Sequence, residues 1–246
     1  DEMRRIANRL LVLGVNMIQY MGSYYSLDGG RKGMPLCYPP THSYNNPLFR
    51  HYGSLGESIS RTAYLSGQTK GCGRILVLLP QAAVYELSDT SENLFNYQKD
   101  SFSVNKYDRT VFGTVNALLE LNIEFDIGYE GMADEVEISN GIVSFRGCQY
   151  DCVILPMMGY CTSGVASMAR EIADSGVKTI FINEIPEKEV DTGNNTGLAQ
   201  AFGLEEQLKY VQDGAYNGTR HNIWLIKAEK VNRSENGEYK KALLNV

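Results

Sequence analysis

The sequence predicts an α/β protein, a doubly wound parallel sheet covered by helices on both faces to give three layers. Three observations carry that prediction. The runs Ile75-Leu76-Val77-Leu78-Leu79, Cys152-Val153-Ile154-Leu155 and Thr179-Ile180-Phe181-Ile182 are continuously apolar, as strands buried on both faces must be. Between them lie stretches whose apolar residues recur at helical spacing. The chain has 246 residues, 43% of them apolar, enough for one large α/β domain or for a full domain plus a piece of another.

The elements follow in order. Met3, Ile6, Ala7, Leu10 and Leu11 mark one face of a helix, and Gly14 stands where a C-cap belongs. Val15 to Met21 reads as a short strand, followed by a long loop rich in Gly, Pro and Tyr up to Asn46. Loops of that length without structure of their own are usually functional or disordered. Asn46-Pro47 opens a second helix, because an Asn side chain caps free amides and proline tolerates the first turn. Leu48, Tyr52, Leu55, Ile59 and Ala63 give its buried face. Gly53 and Gly56 inside it would each cost about 1 kcal/mol relative to Ala, which points to close packing or to a break in the helix.

At Gly71-Cys72-Gly73 the character changes. The Ile75 strand ends at Pro80, and residues 82–103 read as a polar insertion containing Glu86, Asp89, Glu92 and Asp100. Val104, Tyr107, Val111, Val115 and Leu118 form a helical stripe, and Ile123, Phe125 and Ile127 alternate with polar residues as a second strand, completing a βαβ unit. Glu135 to Phe145 reads as a hairpin about Asn140-Gly141, a pair suited to a type I′ turn. The Cys152 strand leads to a helix bearing Val165, Met168, Ala169, Ile172 and Ala173, closed by Gly176, and then to the Thr179 strand. A helix from Leu198 to Val211 and a last strand from Ile223 to Ile226 complete the chain's pattern.

Composition excludes several classes of function. With 23 Lys+Arg against 29 Asp+Glu the net charge is −6, the wrong sign for a dedicated nucleic-acid binder. No apolar run reaches the ~18 residues of a membrane span, and the first residues do not form a signal peptide. Five cysteines, Cys37, Cys72, Cys148, Cys152 and Cys161, are odd in number and lack a CxxC pair, as expected of reduced thiols in the cytoplasm. Cys148 and Cys152 are four apart, but His42, His51 and His221 lie far from them in sequence, so no zinc site is expected. Asn194, Asn217 and Asn232 begin glycosylation sequons that matter only in a secretory pathway. The chain starts with Asp and stops within an element-like run, Ala242 to Val246, which suggests an excerpt of a longer protein.

No catalytic residue, cofactor or metal site is assigned. A Rossmann or P-loop site needs glycines after a strand and before a helix. Here Gly71 and Gly73 precede the strand, and Leu79 leads into Pro80-Gln81-Ala82-Ala83. Asp28-Gly29-Gly30-Arg31-Lys32-Gly33 reads as a surface loop. Gln81, Glu130, Met157 and Glu184 should stand at the carboxyl ends of the strands, where ligands bind in such folds, and two acids there would repel a nucleotide phosphate. The strand before Cys161 is expected to end at Leu155-Pro156, five residues too early for a nucleophile turn, and His221 is the only downstream candidate for a base, so Cys161 reads as inert.

Several segments resemble a known family. Gly14-Val15-Asn16, Tyr24-Tyr25-Ser26, Thr41-His42-Ser43-Tyr44-Asn45-Asn46, Ile59-Ser60-Arg61-Thr62-Ala63-Tyr64-Leu65-Ser66-Gly67 and Arg74-Ile75-Leu76-Val77-Leu78-Leu79-Pro80 resemble the end of the catalytic barrel in bacterial α-L-rhamnosidases and related β-galactosidases. Met21 departs from the His that those rhamnosidases tend to carry. Tyr150-Asp151-Cys152-Val153-Ile154-Leu155-Pro156 and Val177-Lys178-Thr179-Ile180-Phe181-Ile182 look like the glutamine-amidotransferase-like domain that follows the barrel. In true amidotransferases a nucleophilic Cys follows the second of these strands. This chain has Asn183 and Glu184 there.

The resemblance implies three regions. Residues 1–70 would end a (β/α) barrel with a helix, the last strand, a long loop and an exit helix. Residues 71–228 would form the amidotransferase-like domain, and 229–246 a tail or the start of a further domain. It also implies a catalytically dead, structural or oligomerising role, as in the β-galactosidase trimerisation domain, with the parent enzyme's catalytic acids upstream of residue 1. Tyr24, Tyr25, His42 and Tyr44 are the candidate carbohydrate contacts, because the loop after a last barrel strand lies at the barrel's active face. The competing expectations are a stand-alone sugar-binding or oligomerisation module and an amidotransferase-like enzyme in its own right.

Overall fold

A computed structural model describes residues 2–20, 46–69, 71, 73–87, 102–209, 214–220, 222–228 and 243. The chain divides into two compact units, Asp1–Gly71 and Cys72–Val246.

In the first unit, helix α1 (Glu2–Val12) ends as its sequence predicts. Gly14 takes φ +92°, its amide donates to Leu11 O (3.1 Å), and the Val15 amide donates to Leu10 O (3.0 Å), a Schellman cap. Residues 15–20, expected as a strand, form none. A strand needs a neighbour to close its backbone N–H and C=O groups, and no β segment occurs among the described residues of this unit. Asn46 Oδ1 accepts the Leu48 amide (2.9 Å) and leads into a 3₁₀ turn, Phe49–His51, before helix α2 (Tyr52–Gly67). The tighter turn rotates Leu48 away from the face it was expected to join, and it is exposed. The core of the unit is narrow: Ala7 and Leu11 of α1 meet Ile59 of α2, with Ile18, Leu55 and Ala63 alongside. Ile6 and Leu10, expected on the same face, are exposed.

The second unit is built on a six-stranded sheet. Strand β1 (Ile75–Leu78) is followed directly by helix α3 (Gln81–Leu87), so the segment after Pro80 begins as a helix and not as the expected insertion; Glu86 lies in it, while Asp89, Glu92 and Asp100 fall outside the described residues. Helix α4 (Phe102–Glu120) leads to β2 (Phe125–Gly128). A 3₁₀ turn at Glu130–Asp134 precedes a small antiparallel sheet of β3 (Glu137–Ser139), β4 (Ile142–Phe145) and β5 (Cys148–Tyr150). Asn140 and Gly141 both have positive φ, as the type I′ turn requires, and Arg146-Gly147 repeats the device at the next turn.

The main sheet resumes with β6 (Cys152–Pro156), then short β7 (Tyr160–Cys161), helix α5 (Ser163–Ser175) and β8 (Lys178–Ile182). Gly176 closes α5 at φ +88°. Strand β9 (Lys188–Glu189) pairs with β7. The helix expected from Leu198 to Val211 is two single turns, α6 (Leu198–Ala201) and α7 (Glu205–Leu208), because Gly203 between them sits at φ +65°. Strands β10 (Gly214–Asn217) and β11 (Ile223–Lys227) form an antiparallel hairpin.

The order across the sheet is β10-β11-β8-β6-β1-β2, with β10 alone antiparallel. The chain starts at β1, steps to β2 on one side, and then crosses to β6, β8 and β11 on the other. The direction of winding therefore reverses between β1 and β6. Alternate strand residues feed two cores. Leu76, Val153, Leu155, Phe181 and Leu225 pack with Val165, Ala169 and Ile172 of α5 on one face. Val77, Ile154, Ile180 and Ile182 pack with Ala117 and Leu118 of α4 on the other. Of the expected stripe on α4, Tyr107 and Leu118 are buried and Val111 and Val115 only partly so, while Thr110, Thr114 and Ala117 complete the buried face. The threonines enter the core because their hydroxyls turn back on the helix, Thr114 Oγ1 donating to Thr110 O at 2.7 Å and Thr110 Oγ1 to Lys106 O at 3.0 Å.

Among the described residues neither a break in α2 nor a close neighbour accounts for its glycines. The helix runs through them unbroken, and a Cβ at Gly53 or Gly56 would meet nothing within 4 Å among the described residues. Each of Gly53→Ala and Gly56→Ala is therefore expected to stabilise the chain by about 0.5–1 kcal/mol, read from urea denaturation followed by helical circular dichroism. A loss of stability in either variant would mean that this face of α2 is covered.

Candidate functional site

In a doubly wound sheet the ligand crevice lies beyond the carboxyl ends of the strands at the point where the winding reverses. Here that point is flanked by the β1-to-α3 junction at Pro80-Gln81 and the β6 exit at Met157. Gln81, Glu130, Met157 and Glu184 all stand at this edge, within three residues of the ends of β1, β2, β6 and β8.

Glu130 spans the crevice. It is 4% exposed, and the 3₁₀ turn after β2 aims it across β1 toward β6. Its Oε1 accepts the Ala82 amide at 2.7 Å, with the Gln81 amide adding to that side, and its Oε2 accepts the Thr162 amide at 3.1 Å. One carboxylate thus serves amides at the start of α3 and at the N-cap of α5, on the two sides of the crevice. Burial raises its pKa above the ordinary glutamate range; the amides oppose the shift and nearby Asp191 reinforces it.

The N-terminus of α5 gathers further carboxylates. Thr162 caps the helix, its Oγ1 accepting the Val165 amide at 3.4 Å. Asp191 takes the Ser163 hydroxyl at 2.6 Å and the Ser163 amide at 2.9 Å, and these bonds lower its pKa. Asp134 lies so near that a Cβ at Gly164 would come within 2.5 Å of its Oδ1.

Cys161 sits below this cluster, fully buried. Its thiol pKa is pushed up to about 12, first by burial and then by Glu130, Glu189 and Asp191, with Arg170 opposing. A thiol so held stays protonated at neutral pH and is no nucleophile.

A second cluster follows β8. Asn183 has φ +65°, and every polar group of its backbone and amide is engaged. Its amide N–H donates to Ile226 O (2.8 Å), its Oδ1 accepts the Ala228 amide (2.8 Å), its Nδ2 donates to Thr110 Oγ1 (3.4 Å), and its carbonyl accepts from Lys227 Nζ (2.8 Å). Glu184 takes Tyr107 Oη at 3.2 Å and Lys106 Nζ at 3.1 Å. Burial, then the Glu184 charge, raises the Tyr107 pKa, and burial lowers that of Lys227. Met157, the residue after β6, is fully buried at φ +51°.

Tyr24, Tyr25, His42 and Tyr44 lie outside the described residues. Among the described residues no group of three or more His, Cys, Asp or Glu side chains is placed to hold a metal ion, and no helix is long and apolar enough to cross a membrane. Sequence reasoning placed Glu130 at the edge but missed its partners. Thr162, directly before an amphipathic stripe, carried a readable N-cap signal, whereas nothing local marks Asp191 or the engagement of Asn183.

No protein-family model matches the chain, and no curated protein matches it. Among solved structures it is similar to a catalytic mutant of Gan42B, a GH42 beta-galactosidase from G. stearothermophilus, at 13% identity and a TM-score of 0.44, over 65% of this chain and 21% of that one. The chain therefore spans about a fifth of that structure's length.

Two outcomes follow from the geometry. Glu130→Ala orphans buried amides on both sides of the crevice and is expected to cost about 2–4 kcal/mol, measured by chemical denaturation. On brief alkylation of the native chain near pH 8, peptide mapping should find exposed Cys148 labelled and Cys152 and Cys161 unmodified. Labelling of Cys161 at the rate of Cys148 would contradict its burial.

Proposed function

We propose that this chain is a non-catalytic, accessory portion of a carbohydrate-active glycoside hydrolase, in which an amidotransferase-like α/β domain that follows the end of a catalytic barrel in sequence serves a structural or oligomerising role. The observation that supports this reading is the carboxylate that spans the switch point. The place where a doubly wound sheet would hold a small ligand is spanned by the chain's own Glu130 carboxylate, with Met157 buried against Ala83 and Tyr107 at the same edge and a protonated, buried Cys161 in the field of Glu130. Asn183, at the position that resembles the amidotransferase nucleophile, has no nucleophilic group. On this reading residues 1–70 belong to the barrel, residues 71–228 form the accessory domain and 229–246 continue beyond it, while carbohydrate is bound by the parent enzyme.

Glycosidic hydrolysis needs two carboxyl groups about 5–10 Å apart on either side of the bond. The acids at this edge are instead bonded to backbone amides, to Ser163 and to Lys106 and Tyr107. The purified chain is therefore expected to release no aglycone from aryl glycosides, while the longer parent protein does so. Turnover by the chain alone, abolished by one carboxylate substitution, would overturn the proposal. In the parent, Tyr25→Ala and His42→Ala are expected to lower kcat/KM about tenfold or more without a matching loss of thermal stability, as for residues that position a sugar. Unchanged kinetics in both variants would remove the 21–46 loop as a subsite.

A further inference from the structure

We infer that Asn140-Gly141, the tip of the β3–β4 hairpin, is a self-modifying site: in the folded chain Asn140 converts spontaneously to aspartate and isoaspartate, whereas the fold protects Asn217-Gly218 from the same reaction. The inference does not depend on the proposed function.

Asparagine followed by glycine is disposed to this chemistry, because glycine has no Cβ to obstruct the approach of its nitrogen to the preceding side chain. The Gly141 nitrogen, deprotonated by hydroxide, bonds to Asn140 Cγ. The bond from Cγ to Nδ2 breaks, ammonia leaves, and a cyclic imide closes. Water then adds to one of its two carbonyl carbons and opens the ring. Opening at Cγ gives aspartate; opening at the main-chain carbonyl gives isoaspartate, whose main chain runs through Cβ and Cγ. The chain and water are the only reactants.

The two dipeptides differ in what holds the glycine nitrogen. Asn140 is exposed, and it and Gly141 turn at φ +52° and +76°. The ladder stops at the Ser139–Ile142 pair, and among the described residues the Gly141 amide makes no hydrogen bond. Bringing Cγ to the nitrogen requires Asn140 to leave its turn angle. Fraying of that last pair allows it, while Ile138 and Val143 stay packed in the core.

Asn217 is exposed as well, but it pairs with Trp224 of β11. The Gly218 amide donates to Ile223 O (3.0 Å), and a Cβ at Gly218 would clash with Phe202 O. The residues beyond are tied too: the Thr219 amide donates to Phe202 O (2.8 Å), and Asn222 Nδ2 to Ala173 O (3.0 Å) and Val177 O (2.9 Å). Freeing the Gly218 nitrogen therefore means opening the β10–β11 hairpin away from α5 and α6.

Either product weakens the β3–β4 turn. The tip lies at the C-terminal end of α5, where a Cβ on Gly141 would stand 3.7 Å from Ser175 O, and the partial negative charge of a helix C-terminus disfavours a new carboxylate. Isoaspartate also lengthens the main chain of a two-residue turn whose closure depends on its length.

The test is to incubate the folded chain at neutral to mildly alkaline pH, with a parallel sample in guanidinium chloride, and to follow replacement of amide by acid in each Asn-Gly peptide by mass spectrometry. Asn140 is expected to convert at least severalfold faster than Asn217 in the folded chain, in proportion to hydroxide, and the two are expected to converge in denaturant. An Asn217 rate equal to or above that of Asn140 in the folded chain would overturn the proposal, as would conversion of Asn140 in denaturant alone. A ratio that persists unchanged in denaturant would assign the difference to local sequence and overturn it as well. The fraction converted at Asn140, separated by anion exchange and identified by its peptide map, is expected to unfold at a lower denaturant midpoint than the unconverted chain; equal midpoints would overturn the weakening of the turn.

Discussion

One hydrogen-bonded carboxylate joins the parts of the larger unit that the sheet alone would leave apart. Strand pairing fixes β1, β2 and β6 side by side, but it does not fix the segments leaving their carboxyl ends. Those segments carry backbone amides into the interior, and each buried amide needs an acceptor. Glu130 supplies one to the start of α3 and another to the N-cap of α5, so that residues following three different strands become a single structure. Asp191 adds the loop after β9 by the same means at Ser163. The helix dipole of α5 is thereby answered several times over by the chain's own acids, and little electrostatic attraction is left there for an incoming anion.

The conformational strain in this region is confined to the same edge. Met157 and Asn183 follow adjacent parallel strands in the left-handed region, at a cost of order 1 kcal/mol or more for each. Both are held there by the ladder's continuation, the Met157 amide donating to Ile182 O and the Asn183 amide to Ile226 O, each at 2.8 Å. The sheet thus extends its hydrogen bonding one residue past each strand while turning the chain sharply away.

The parts of this architecture that the sequence made legible are those governed by apolar burial or by an unusual backbone angle. The Ile75, Cys152 and Thr179 runs are apolar throughout because a parallel strand has two buried faces, and Asn140-Gly141 is explicit because few residue pairs tolerate two positive φ angles. Legibility failed where a polar group did apolar duty. Thr110 and Thr114 lie in the core with their hydroxyls folded onto α4, so hydrophobic periodicity pointed to Val111 and Val115. Helix α3 was hidden because its anchor, Glu130, lies 48 residues away from Ala82. Residues 15–20 have the composition of a strand, but pairing is a property of neighbours and not of composition. At the candidate site the positions of Gln81, Glu130, Met157 and Glu184 could be read from where strands end, whereas the sign of Glu130's role could not: an acid that would repel a ligand is also an acid that can take the ligand's place.

Asn183 illustrates how one side chain can fasten a sharp turn. Its side chain supplies an acceptor to the Ala228 amide and a donor to the Thr110 hydroxyl, tying the end of β11 and the middle of α4 to the end of β8. A cysteine or serine there would be too short to reach both partners. Exchange would therefore leave the Ala228 amide wanting an acceptor and loosen two elements at once, so a reactive side chain cannot be installed at this turn by one substitution without first rebuilding what Asn183 fastens. At this turn joinery and reactivity are alternatives for a single side chain.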